Sequence, residues 1–454
     1  MAFKVKYPES ISRYNPSSTF NVQSKWLQWE SQFRFIAQMK AEYGASGLDE
    51  KIAETEKFIE EKLEELRSLP EDPALARAEP NELEAIRALR PTGARRIWSK
   101  IDQKQYQDRL EGALIGRCAG CILGAPVEGW PVYKMEEWAE YIGDTFPPVK
   151  YWSQVQNPHD LIYKVKSYPR ENFTPSVMNA APPDDDIIYT HLGLLILEDY
   201  GPDFTIENAG QAWLKYLPHA CTAEQIALNN LKNGVSAKEA ASKENPYVQW
   251  IGADIRSDPW GYAAPGWPEK AAEFAYKDAY ISHRRNGIFS AMYFSAVISA
   301  AFSVDDPLDA FQIGLQEIPS DCLFAQEVRW AINESKNICN YKDANEAVRD
   351  RYARMHPAHA INNACLTIWG LTIGGSDFTK VISETVAMGY DNDCTAATAG
   401  SIAGAIFGKS AIATHWWENF NNRSISYLND HPEFAFDDLI QRFSVQATRV
   451  HREA

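Results

Sequence analysis

The chain has 454 residues, 45% of them hydrophobic and 12% aromatic, which supplies a sizeable core and excludes an intrinsically disordered chain. A formal net charge of −16 excludes a general binder of nucleic acid or anionic membrane, either of which needs basic patches, while leaving room for a small anionic ligand held locally. Seven scattered cysteines fit a reducing compartment better than a disulfide scaffold; with no apolar leader at the start and no uninterrupted apolar run of about 18 residues, the expectation is a soluble, cytoplasmic protein with no membrane partner.

Residues 1–104 differ in texture from the rest. Ser24 to Tyr43 and Asp49 to Leu69 read as two helices, the second dense in Glu and Lys, with Ile52, Phe58, Ile59, Leu63 and Leu66 forming an apolar stripe at helical spacing. Pro70, Pro73, Pro80 and Pro91 then interrupt the pattern. These residues are expected to form an N-terminal helical extension, with 105–454 as one catalytic domain. That domain shows long helical patterns at Asp108–Leu123, Ile187–Tyr200, Thr222–Leu231, Pro268–Tyr280, Gly287–Phe302, Asp343–Met355 and Thr395–Phe407, and alternating strands are scarce. The segment from Gly143 to Pro183 has neither period; Trp152, Tyr163 and Tyr168 punctuate it and seven prolines interrupt it, so it reads as a lid or an insertion.

The first chemically informative block is GALIGRCAGCILGAPVEGW, residues 112–130. Glycines 112, 116, 120 and 124 recur every fourth residue on one helix face, which invites another backbone or a ligand to approach closely. Glu128 follows in the loop that ends this helix. Cys118 and Cys121 form a CxxC without a second pair at zinc spacing, and so read as core. Further on, two prolines precede Asp184, Asp185 and Asp186 at the start of an apolar helical pattern. Acidic residues suit the first turn of a helix, but three in succession exceed what a cap needs, and a bound cation would offset their repulsion. The third block, GYDNDCTAATAGSIAGAIFG (389–408), sets Asp391 and Asp393 on a turn before a helix built almost wholly of small residues. Two acidic clusters at two helix starts suit a hard divalent cation, which prefers several oxygen ligands.

The three blocks, in this order, resemble the ADP-ribosylglycohydrolase family, which includes hydrolases that remove ADP-ribose from modified arginine or serine, dinitrogenase-reductase-activating glycohydrolases and J1-type crystallins. The resemblance covers roughly Gln105 to His415. It implies an all-α orthogonal helical bundle with two divalent cations, Mg²⁺ or Mn²⁺, at the base of a cleft, and Ca²⁺ as a further candidate here. Carried over by position, it implies metal ligation by Asp184, Asp185, Asp186, Asp391 and Asp393, with Thr190 one turn beyond the first group; Thr395, next to the family's hydroxyl position at Cys394, is expected to supply the oxygen that position lacks. It implies catalysis by Glu128 or Asp185. Two positions depart from the family pattern: Asp184 stands where a threonine is usual, and Cys394 puts sulfur where a hydroxyl is usual. In the middle of the chain Arg256, Tyr262 and His283 are expected to contact substrate, Tyr262 lying with Trp260 on a Gly/Pro-rich loop. The expected activity is hydrolysis of an N- or O-glycosidic bond at C1 of a ribofuranosyl group, on an ADP-ribosylated substrate or a related small molecule. Another pentofuranoside or nucleoside, and a catalytically silent crystallin-like protein, are the competing readings.

Overall fold

In the computed structural model, residues 25–155, 170–353 and 355–452 are described. Tyr163, Tyr168 and the middle of the proline-rich segment fall outside them. Helices dominate, as expected of an all-α protein, and the described residues contain a single two-stranded antiparallel sheet. The chain divides into two compact units: a smaller one comprising residues 25–77 with 355 and 356, and a larger one containing the rest of the described chain.

The smaller unit is built on α1 (Lys25–Glu42) and α2 (Leu48–Arg67). α2 carries alternating charge and is laced by exposed pairs such as Lys51–Glu54, Lys57–Glu61 and Lys62–Glu65, three or four residues apart. It contains no buried residue at all.

In the larger unit, residues 78–104 are tied to the rest of that unit by ion pairs. Glu79 pairs with Arg285 at 2.8 Å, Arg90 with Glu269 at 2.9 Å and Glu317 at 2.5 Å, and Arg95 with Glu317 at 3.1 Å. The prolines that break helical periodicity here leave a chain whose side chains anchor it.

The body is organised around α3 (Gln103–Gly124), α4 (Asp185–Tyr200), α5 (Pro268–Ala279), α6 (Asn286–Ala301), α7 (Ala360–Gly374), α8 (Phe378–Ala387), α9 (Asn392–Phe407) and α10 (Phe436–Arg452). Asp102 caps α3, accepting from the Lys104 and Gln105 amides at 3.1 Å. α3 is long and apolar enough to cross a membrane by length and composition, but its apolar window is almost entirely buried inside the body. Every residue of α6 is buried, and its serines donate to backbone carbonyls, Ser290 to Gly287 within the helix and Ser295 and Ser299 to Ala271 and Ala264 outside it. α7 has the same character; its uniformly apolar sequence lacks the one-sided stripe that periodicity detects, which explains why it is not apparent in the sequence. β1 (Arg423–Leu428) pairs with β2 (His431–Ala435) in a short hairpin before α10.

The seam between α3 and α9 positions the site. The helices run antiparallel with their small residues face to face. A Cβ added at Gly112 would clash with Gly404, at Gly116 with Gly400, at Gly120 with Ala396 and at Gly124 with Asp393, in every case closer than 3.0 Å. Only hydrogens fit between the backbones. The end of α3 is thereby fixed beside the start of α9. The flanks of the proline-rich segment are also tethered: Trp152 Nε1 donates to the Leu123 carbonyl at 3.0 Å and Tyr151 Oη to the Trp416 carbonyl at 2.7 Å.

Candidate metal centre

The Gly389–Tyr390–Asp391 turn gives α9 its acidic start. Gly389 and Tyr390 both have positive φ, 75° and 63°, and for tyrosine this is a sparsely populated conformation that surrounding contacts must hold. One such contact is the Gly129 amide, which donates to the Tyr390 carbonyl at 3.0 Å. A second is the Asn363 side-chain oxygen on α7, which accepts from the Asp391 amide at 3.4 Å. The loop after α3 is thus hooked onto the turn before α9, bringing Glu128 to Asp391 and Asp393.

Asp391 occupies the N-cap of α9 but makes no side-chain capping bond. Its carboxylate therefore remains available, in the favourable field of a helix N-terminus. Asp184, at the N-cap of α4, behaves differently: one of its oxygens accepts from the Asp186 amide at 3.1 Å.

Three groups of side chains lie with their candidate ligand atoms within 4.8 Å of one another: Cys121, Asp184 and Asp186; Asp186, Asp393 and Cys394; and Glu128, Asp391 and Asp393. Asp186 belongs to the first two and Asp393 to the last two, so the groups form a continuous cluster. It runs from buried Cys121 to Glu128, which is exposed at its edge. The two acidic segments, some two hundred residues apart in sequence, do converge.

Arg117 supports this cluster from within α3. Its guanidinium is 1% exposed; it donates from Nε to the Asp186 carbonyl at 2.6 Å and from its terminal nitrogens to the Asp186 carboxylate at 3.0 Å, Asp258 at 2.6 Å and the Ile255 carbonyl at 2.8 Å. Arg117 forms ion pairs with Asp186 and Asp258, while Asp184, Asp391 and Asp393 lie in the same acidic cluster. Burial accordingly pushes all five upward: Asp184 to about 7 with the help of repulsion from Asp185, Asp186 well up despite Arg117, Asp393 well up with added repulsion from Glu128, Asp391 up, and Asp258 up against the opposing pull of Arg117.

Buried oxygens without hydrogen-bond partners among the described residues test whether a cation fits. Asp186 Oδ2 and Asp393 Oδ1 are two of them, on residues 0% and 4% exposed, and the Thr190 and Thr395 hydroxyls are two more. Buried polar groups are normally paired. Carboxyl oxygens left so, in a region already rich in carboxyls, fit divalent cations.

The other expected residues are distributed as follows. Asp185 stands outside the three groups; its charge adds to the upward push on the Asp184 carboxyl, the Cys221 thiol and the Asp391 carboxyl. Arg256, Tyr262 and His283, expected at the substrate, are instead 2%, 0% and 0% exposed and bonded to internal partners. Arg256 donates to Asp278 at 2.6 Å, pairs with Glu224 and bonds Ser282 at 3.0 Å. Tyr262 Oη bonds Asp258 at 2.9 Å and Ser401 at 2.8 Å, on a short helix (Asp258–Ala263) rather than a loop. His283 Nδ1 lies 2.8 Å from the Ser282 hydroxyl, and burial with two nearby arginines holds the ring neutral. Tyr262 connects to the cluster through Asp258, which Arg117 also holds, whereas Arg256 is committed to Asp278, Glu224 and Ser282 and His283 keeps a buried Nε2 without a partner among the described residues.

Two contributors escape sequence reasoning. Arg117 carries a signal, being the one charge in a helix face of glycine and alanine. Asp254, wholly buried with neither oxygen partnered among the described residues and sensing Asp258 and Asp391, carries none that separates it from a surface acid.

The body is all-α, with a buried acidic cluster that could hold a metal ion at the junction of two glycine-seamed helices. The family model for ADP-ribosylglycohydrolases matches residues 102–448, and the chain belongs to that family. Among solved structures, a chain described as "ADP-ribosylglycohydrolase-related protein complex" is similar over 77% of this chain and 99% of that one, at 19% identity and a TM-score of 0.46. No curated protein matches in a sequence comparison.

Proposed function

We propose that the chain is a metal-dependent hydrolase that cleaves an N- or O-glycosidic bond at C1 of a ribofuranosyl group, on an ADP-ribosylated substrate or a related ribosyl metabolite. The observation that carries this reading is the pair of buried, unpartnered carboxylate oxygens on Asp186 and Asp393, at the point where the three ligand groups overlap. Asp184, Asp186, Asp391 and Asp393 would hold two divalent cations, and Thr190 and Thr395 offer neutral oxygens beside them. When bound, such cations supply positive charge and lower the pKa of a coordinated water.

The remaining roles belong to the protein. Arg117 fixes the Asp186 carboxylate through two bonds to the same residue, one to its backbone and one to its side chain. The hooked turn fixes Asp391. Glu128 is exposed and grouped with Asp391 and Asp393, so it is the carboxylate able to take a proton from water or pass one to the leaving group. Asp185 is the second candidate for that role; Glu128 is favoured because it is the more exposed and belongs to a ligand group, which Asp185 does not.

The test is product release from ADP-ribosyl-arginine, ADP-ribosyl-serine and a nucleoside panel, with and without chelator. Turnover is expected to vanish with chelator and in Asp391→Ala while far-ultraviolet circular dichroism is retained. Glu128→Gln should lose about 10²–10⁴-fold in rate yet still bind cation. Undiminished turnover in Asp391→Ala rejects the assignment, and cation binding without turnover of any substrate favours the catalytically silent reading.

A further inference from the structure

We infer that the centre is a mixed carboxylate–sulfur site in which Cys121 and Cys394 are inner ligands, so that it takes a borderline transition ion such as zinc in preference to magnesium or calcium. The inference rests on the metal-centre reading above and adds the identity class of the ion.

Of the seven cysteines, all free, only these two lie within ligand spacing of the acidic cluster. Cys118 is one turn back in the α3 core, Cys322 accepts from the Ala325 amide, Cys365 contacts Tyr352, and Cys221 and Cys339 are exposed. Cys121 and Cys394 come from different helices and meet different ends of the cluster. The Cys121 sulfur lies within 4.8 Å of carboxyl oxygens of Asp184 and Asp186, and the Cys394 sulfur within 4.8 Å of carboxyl oxygens of Asp186 and Asp393. Ordinary buried cysteines pack as small hydrophobes; each of these faces a carboxyl of the cluster instead.

Ligands about 2.0–2.3 Å from one ion stand no more than about 4.6 Å apart. The groupings of Cys121, Asp184 and Asp186, and of Asp186, Asp393 and Cys394, whose ligand atoms all lie within 4.8 Å of one another, are therefore near ligand spacing before any ion arrives. The unpartnered Asp186 and Asp393 oxygens belong to those same groupings. Magnesium and calcium demand oxygen and gain little from sulfur, whereas zinc and cobalt accept thiolate and carboxylate together. The seam also bears on this: Gly120 and Gly124, flanking Cys121, allow α3 to lie close enough for its sulfur to reach a site built from the starts of α4 and α9.

The experiment titrates metal-free full-length protein with Zn²⁺, Co²⁺, Mn²⁺ and Mg²⁺ by calorimetry, and records the Co²⁺ form by ultraviolet absorption. Wild type is expected to bind Zn²⁺ and Co²⁺ more tightly than Mg²⁺ and to show the thiolate-to-cobalt charge-transfer band that only sulfur ligation produces. Cys121→Ser and Cys394→Thr should each weaken Zn²⁺ binding by at least about 10-fold, since even outer-shell partners are worth that much. The double variant should lose the band and shift preference toward Mg²⁺ or Mn²⁺, with an unchanged thermal midpoint in the metal-free state showing that it folds. Cobalt binding without a charge-transfer band overturns the sulfur assignment and leaves the metal centre standing. No binding of any ion, by wild type as by Asp186→Asn, overturns both.

Discussion

The α3–α9 seam and the α1–α2 hairpin are both helical, for opposite reasons. α2 is rich in residues that favour helix on their own, and ion pairs at helical spacing reinforce it, yet it buries nothing. The partner helix leaves Trp26, Trp29, Phe33 and Ile36 at 45%, 49%, 43% and 50% exposure. α3 and α9 are loaded with glycine, about 1 kcal/mol per residue worse than alanine in a helix, and exist because their backbones pack against each other and against the core. Local propensity makes a helix in one region and tertiary contact makes it in the other; only the second places chemical groups to within an ångström.

The sharpest way to break the seam side of that contrast is through Arg117. Arg117→Met should cost about 3–5 kcal/mol in denaturant unfolding and abolish cation binding, because Asp186 and Asp258 are left as uncompensated buried carboxylates. A comparably small loss would mean that Asp186 is held by the rest of the cluster.

Gly116→Val tests the packing itself. Helix propensity alone puts valine ahead of glycine, whereas overlap with the Gly400 carbonyl calls for destabilisation of about 1–3 kcal/mol or more. Denaturant unfolding decides by sign.

A smaller, pH-dependent effect belongs to His191 on α4, 1% exposed and stacked on Phe434 at 4.4 Å. Burial pushes its pKa down to about 3, with Arg442 nearby. The folded state keeps the ring neutral while the unfolded chain takes a proton near pH 6.5, so stability is full above that value and falls as pH drops toward 3. The slope is up to about 1.4 kcal/mol per pH unit. His191→Leu should flatten this limb in pH-resolved thermal melts, and an unchanged slope would place the acid sensitivity elsewhere.

The smallest effect lies in the hairpin. Breaking the exposed Lys57–Glu61 pair with Lys57→Ala should leave the unfolding midpoint unchanged, since exposed pairs contribute little. Amide hydrogen exchange should nonetheless be fast in α2 and slow along α3 and α9. Equal protection in both regions would erase the distinction.

The sequence displayed much of this by itself. Helical periodicity located α1, α2, α4, α5, α6 and α9 to within a few residues, and four-residue glycine spacing announced a close backbone approach before its partner was known. Three motif blocks pointed to the family, and two acidic helix starts to a shared centre. These features are legible because they are local: a period, a spacing, a cap.

Tertiary structure alone decided the rest. That Asp184 spends an oxygen on its helix while Asp391 does not, that Cys121 faces carboxyls rather than the core, and that Arg256, Tyr262 and His283 are buried against internal partners all depend on which side chains meet across the fold. The physical reason is burial. A carboxylate, thiol or guanidinium has no fixed role until its desolvation and its partners are set, and both are set by residues far away in the chain.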